Sequence, residues 1–148
     1  ENTDPAIIVD EAVKQVKGKK GFETMVVGVD PGKTFGIAVL SNGNILETLT
    51  CESVEEAVEA VVEIFNKHQV AVRVLKVGSW SQSYTAELLP KLDAALPQDV
   101  TVEIVREAGT SRFIGQTKHT RKTKHTMAAI KIAERHGQPY KRTGATKT

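Results

Sequence analysis

The stretch Val26–Leu40, VVGVDPGKTFGIAVL, decides how the chain is read. An apolar run ends on one acidic residue, Asp30, passes through Pro31-Gly32 and resumes as a second apolar run from Phe35. Short β-branched runs bounded by Pro and Gly predict two strands around a turn. Burying an unpaired carboxylate among Val26, Val27, Val29, Ile37, Ala38 and Val39 is costly. Asp30 is therefore expected to face a polar cleft or to have a partner, as a metal ligand does.

Gly32-Lys33-Thr34 matches the end of the phosphate-binding pattern G-x-x-x-x-G-K-[ST], but the rest does not. The first glycine of that pattern falls on Val27, Gly28 lies one residue too near, and no helical periodicity follows Thr34. Phe35, Ile37, Val39 and Leu40 instead continue as a strand. Ser41-Asn42-Gly43-Asn44 then predicts a hairpin turn into a third strand over Ile45 to Thr50.

This strand, acidic turn, strand, hairpin, strand unit resembles the opening of ribonuclease H-like folds, and most closely that of the RuvC/YqgF-like nucleases. The residues that carry the resemblance are Gly28, Asp30, Gly32, Gly36, Ala38 and Val39. Actin-like ATPases open with a similar Asp-x-Gly strand pair, so a phosphate-transfer or ATPase fragment is an alternative. A complete actin-like ATPase needs two such domains, more than 148 residues suit.

Composition is that of an ordinary globular domain, 40% hydrophobic and 26% charged. No apolar run approaches the roughly 20 residues of a membrane span, and no signal-peptide pattern is present; a cytoplasmic location is expected. The single cysteine, Cys51, forms neither an internal disulfide nor a Cys-based zinc site and is read as structural. Net charge is +2, unevenly spread: residues 106–148 hold 11 Lys+Arg against 2 Asp+Glu, whereas residues 1–105 are acidic. A basic C-terminal third suits a phosphate-facing surface, and a solvated tail is the plainer alternative.

Asp4-Pro5 followed by Ile8, Ala12, Val13 and Val16 predicts an N-terminal helix ended by the basic linker Lys17–Gly21. Ser53-Val54-Glu55-Glu56 is a capping box opening a helix whose apolar face is Val54, Ala57, Val58, Val61, Val62 and Phe65. Val70 to Val77 reads as a buried strand. A helix from about Ser83 to Leu96 follows, kinked or started by Pro90. Val100 to Val105 alternates as a fifth strand, and a last helix is expected from about Lys124 to His136. Hairpins first and strand-helix units second predict an α/β fold, a five-stranded mixed sheet of order 3-2-1-4-5 with strands one, four and five parallel. The expected divisions are residues 1–21 (helix and basic linker), 22–137 (ribonuclease H-like domain) and 138–148 (basic flexible tail).

The resemblance extends over roughly residues 24–136 and implies a metal site for phosphodiester cleavage by Mg²⁺ or Mn²⁺. In the RuvC branch a second acid lies at the end of strand four, where this chain has Lys76-Val77-Gly78-Ser79-Trp80. In the YqgF branch it follows strand five, where Arg106-Glu107 precedes Thr110-Ser111, and this favours the YqgF branch. The family's last helix begins with an aspartate that His125 replaces, and Ala128 lies one helical turn on. Asp30, Glu107 and His125 are thus the expected catalytic and metal residues, His125 as third ligand or proton-transfer group. Lys33, Thr110, Ser111, Arg112, Lys118, Arg121, Lys122 and Lys124 are the expected phosphate contacts. The plainer readings are a turn-capping Asp30, a surface ion pair of Glu107 with Arg106 or Arg112, and an ordinary helix residue in His125. Trp80 and Phe113 are read as base-stacking or packing side chains, and His119 and His136 as loop and helix-end residues.

The expected function is a metal-dependent nuclease acting on structured nucleic acid, by resemblance ribosomal RNA precursor or branched DNA. The partner is RNA or DNA, no membrane is involved, and a homodimer is left open. The first alternative is a nucleic-acid-binding module that keeps the fold and has lost cleavage with the third acid.

Overall fold

The computed structural model describes residues 23–106 and 121–143. The first three strands, β1 (Thr24–Asp30), β2 (Phe35–Ser41) and β3 (Asn44–Cys51), form an antiparallel meander. The β2–β3 turn places Asn42 and Gly43 at φ 50° and 87°, the two positive values that a two-residue type I′ hairpin requires. Asn42 also ties the turn to the chain's entry into the sheet, because its Oδ1 accepts from the Thr24 N–H at 3.1 Å.

Helix α1 (Val54–Lys67) follows a capped start: Ser53 Oγ accepts from the Glu56 N–H, and Glu56 Oε1 accepts from the Glu52 N–H. The reciprocal bond thus lands one residue before the N-cap, a variant of the expected capping box. Strand β4 (Val72–Gly78) returns parallel to β1. Helix α2 (Gln82–Ala95) runs through Pro90 in its interior. Pro90 and Ala86, the residue whose carbonyl loses its helical partner, are both exposed, so water can satisfy that oxygen. Strand β5 (Thr101–Val105) lies parallel to β4.

Helix α3 (Arg121–Glu134) begins one turn earlier than its apolar pattern suggests. A two-residue strand β6 (Gln138–Pro139) then pairs antiparallel with β5. The sheet has order β3-β2-β1-β4-β5-β6, the expected five strands plus one. Residues 138–143, expected in a flexible tail beyond the domain, belong to it. The Tyr140 N–H donates to the Val102 carbonyl, and Arg142 donates to Asp93 Oδ1 at 2.6 Å.

Alternation along β1 assigns the layers. Met25, Val27 and Val29 join Leu75, Val77, Val102 and the apolar faces of α1 and α2 in the main core. The opposite face, carrying Val26, Ala38 and Leu40, is covered by Ala129, Ala133 and Ile130 of α3. The result is a helix, sheet, helix sandwich: α1 and α2 pack on one face, and on the other α3 is the helix that covers β1 and β2 among the described residues. At the far edge from the Asp30 turn, the buried Arg73 guanidinium binds both Asp99 carboxylate oxygens at 2.7 Å and the Phe65 carbonyl at the end of α1.

Candidate functional site

Asp30 ends β1 at the sheet edge where β4 also ends, since Val29 pairs with Val77 in the parallel register. Its place in the alternation, two residues beyond Gly28, assigns it to the α3 side. That side is built around missing side chains. A Cβ at Gly28 would collide with the Ala129 carbonyl oxygen, and one at Gly36 with the carbonyl oxygen of His125. Backbone contact at these two glycines brings α3 down onto β1 and β2. Gly36 is also the register partner of Asp30. The turn of α3 that carries His125 therefore sits over the strand position beside Asp30. His125 is half-buried and lies one turn inside the helix rather than at its first residue.

The Asp30 carboxyl is pushed up to about 6, chiefly because burial penalises its charge. A hydrogen bond from the Trp80 indole N–H to Oδ1, at 3.1 Å, works in the opposite direction without cancelling the effect. Trp80 reaches Asp30 by lying over Gly78, the last residue of β4. Its ring atoms Cζ2 and Cη2 stand 3.2 and 3.3 Å from where a Gly78 Cβ would be, with Ile132 Cδ1 of α3 at 2.7 Å. Before Trp80, the Ser79 N–H donates to the Val105 carbonyl of β5 and Thr85 Oγ1 donates to the Gly78 carbonyl at 2.8 Å; after it, the Thr85 N–H donates to the Ser81 carbonyl.

Trp80 is the residue beside Asp30 that the sequence pattern does not single out, since a lone tryptophan past a strand end reads equally as a stacking or packing side chain. The signal available was its position just past the end of a strand parallel to β1. The RuvC branch is expected to carry an acid in that region, and this chain supplies a neutral donor.

Of the other expected residues, Lys33 is exposed in the β1–β2 turn, and Lys124 is exposed on α3. Arg121 and Lys122 fall in the first turn of that helix. Glu107, Thr110, Ser111, Arg112 and Lys118 lie outside the described residues, as do Phe113, His119 and the expected N-terminal helix. Thr34 in the same turn donates to Glu52 at 3.2 Å, tying the turn to the start of α1.

Among the described residues no three His, Cys, Asp or Glu side chains cluster closely enough to hold a metal ion. The donor chemistry nevertheless fits one at Asp30. A desolvated carboxylate whose hydrogen-bond donor is a neutral indole is an oxygen ligand that a divalent cation would satisfy. The backbone of His125, in the α3 turn that packs on Gly36, lies beside the Asp30 end of β1.

No protein-family model matches the chain, and no curated protein does. Among solved structures, one described as the Thermus thermophilus RuvC structure is similar, with a TM-score of 0.54 and 14% identity. The match covers 79% of this chain and 100% of that chain. At that identity the likeness is one of architecture. With the sheet order and the α3 packing described above, it establishes that the chain has a ribonuclease H-like fold.

Proposed function

We propose that this protein is a metal-dependent nuclease acting on structured nucleic acid. The observation that carries the reading is Asp30: a desolvated carboxylate at the end of β1, beneath α3, in a ribonuclease H-like sheet. Asp30, His125 and Glu107 would hold the metal, which when bound supplies Lewis acidity and an activated water for phosphodiester cleavage. Where the metal is held by the two carboxylates alone, the imidazole of His125 instead accepts or returns a proton at the reacting edge. Lys33, Lys124, Arg121, Lys122, Arg112 and Lys118 bind phosphate oxygens, aided by the hydroxyls of Thr110 and Ser111. Glu107 after β5 aligns the chain with the YqgF branch, and resemblance gives ribosomal RNA precursor or branched DNA as substrate classes.

A second reading has its own observation. Trp80, rather than an acid, stands past the end of β4, and His125 replaces an aspartate on α3. A nucleic-acid-binding module that has lost cleavage would keep the basic segment and tolerate both changes.

One experiment separates the two. Labelled single-stranded RNA, duplex RNA and four-way DNA junctions are incubated with Mg²⁺ or Mn²⁺ and with the wild type, Asp30→Asn or Glu107→Gln. The nuclease reading expects metal-dependent cutting that falls by at least a hundredfold in both variants. Tight binding without cutting by the wild type under every condition would sink that reading in favour of the binding module.

A further inference from the structure

We propose that Trp80 is the positioning residue of the Asp30 site: its indole N–H holds Oδ1 and so presents Oδ2 as the oxygen that meets a divalent cation. The inference rests on the metal reading given above and assigns a role within it to a residue outside the expected ligand set.

A carboxylate at a strand end turns freely about its last torsion, a broad two-fold rotation. Anchoring one oxygen at 3.1 Å removes that freedom before any ion arrives. The anchor is itself held: the indole lies against Gly78, the backbone just before it is bonded to Val105 and to the Thr85 hydroxyl, and the Ser81 carbonyl just after it accepts from the Thr85 N–H. An indole N–H is a donor only, so Trp80 cannot ligate a cation and contributes direction without charge. A site with fewer acids than a carboxylate cluster depends more on the orientation of each one. Hydrogen-bond partners of metal ligands commonly matter by about 10- to 100-fold in affinity.

The chain holds one tryptophan, so replacing tryptophan globally alters position 80 alone. The isostere β-(3-benzothienyl)alanine keeps the ring and its packing on Gly78 and Ile132 but lacks the N–H. Free Mn²⁺ is measured by electron paramagnetic resonance against wild type, the isostere protein, Trp80→Phe and Asp30→Asn, with urea midpoints for each. Mn²⁺ quenching of Trp80 fluorescence in the wild type and Asp30→Asn supplies an independent spectroscopic signature.

The expected result is saturable Mn²⁺ binding and quenching in the wild type that Asp30→Asn abolishes. The isostere should then bind about tenfold or more weakly at an unchanged urea midpoint, and Trp80→Phe at least as weakly. If the isostere and Trp80→Phe bind Mn²⁺ as tightly as the wild type does, the positioning role is overturned and the metal site stands. If the wild type binds no Mn²⁺, or Asp30→Asn binds it equally well, the metal reading falls and takes this inference with it.

Discussion

A carboxylate such as Asp30, buried at a strand end and given a neutral donor, works against folding at neutral pH. Its folded pKa of about 6 exceeds the ordinary 3.8. Between those values the folded state is the stronger proton binder, so stability falls as pH climbs through that window and is level above it. Below pH 3.8 both states are protonated and the penalty is absent. Asp30→Asn keeps an oxygen for the Trp80 N–H and removes the charge. In metal-free buffer the variant should match the wild type near pH 4 and exceed it by roughly 2 kcal/mol above pH 6, allowing for partial exposure. Urea unfolding from pH 4 to 8 measures this, and a variant less stable than the wild type at pH 7 would contradict it. Millimolar Mn²⁺ should narrow the gap by stabilising the wild type alone. The burial of Asp30 was legible because a lone acid in an apolar run is an anomaly that needs a reason. Trp80 was not, because its partner lies 50 positions away and only the parallel pairing of β1 with β4 brings them together.

At the level of elements, the contact of α3 with β1 and β2 determines where His125 stands. Three glycines of the opening motif, Gly28, Gly32 and Gly36, look equivalent as letters, and the packing separates them. A Cβ at Gly36 meets the His125 backbone, with His125 Cβ at 3.1 Å, whereas one at Gly32 meets nothing nearer than the Thr34 carbonyl oxygen at 3.6 Å. Gly36→Ala must lift a helix turn, and overpacking of this kind costs about 1–3 kcal/mol or more. Gly32→Ala should stay within about 0.5 kcal/mol of the wild type, as surface substitutions do. Comparing their melting temperatures tests the arrangement; equal losses would show that α3 does not rest on Gly36. Elements with strong periodicity or turn chemistry were legible for the same reason that they are stable: the Asn42-Gly43 hairpin and the capped α1 satisfy their own backbone groups locally. The start of α3 was less so, because its first turn, Arg121 to Lys124, carries no apolar residue and contributes nothing to the pattern that locates a helix.

Across the whole molecule, the segment that follows α3 closes the fold at the sheet edge formed by β5. Arg142 spends its donors on the end of α2: on Asp93 through side chain and carbonyl, and on the carbonyls of Leu96, Pro97 and Val100 at 2.7–3.1 Å. The Asp93 and Leu96 carbonyls are ones a helix end leaves without partners, and Pro97 and Val100 belong to the turn that follows, so one guanidinium caps α2 and pins the C-terminal strap to it. Such a lock was invisible in the sequence, where Arg142 reads as one more cation in a basic tail; backbone carbonyls carry no letter. Burial would raise the Asp93 carboxyl, but hydrogen bonds from Thr143 and Arg142 outweigh it and hold the pKa below the usual carboxylate value. A depressed carboxyl stabilises the fold above its ordinary pKa of 3.8, and that contribution fades as pH falls below it. Arg142→Ala strands a buried carboxylate and several carbonyls, for which about 3–5 kcal/mol is the ordinary cost. The loss should be full at pH 7 and shrink below pH 4, where the stranded Asp93 takes up a proton. Arg142→Ala combined with Asp93→Ala should recover part of it at pH 7, because no unpaired charge then remains. Urea midpoints of the wild type and these two variants at pH 3.5 and 7 decide the matter. A single variant that unfolds like the wild type at pH 7 would mean that residues 138–143 rest on the domain without holding it together.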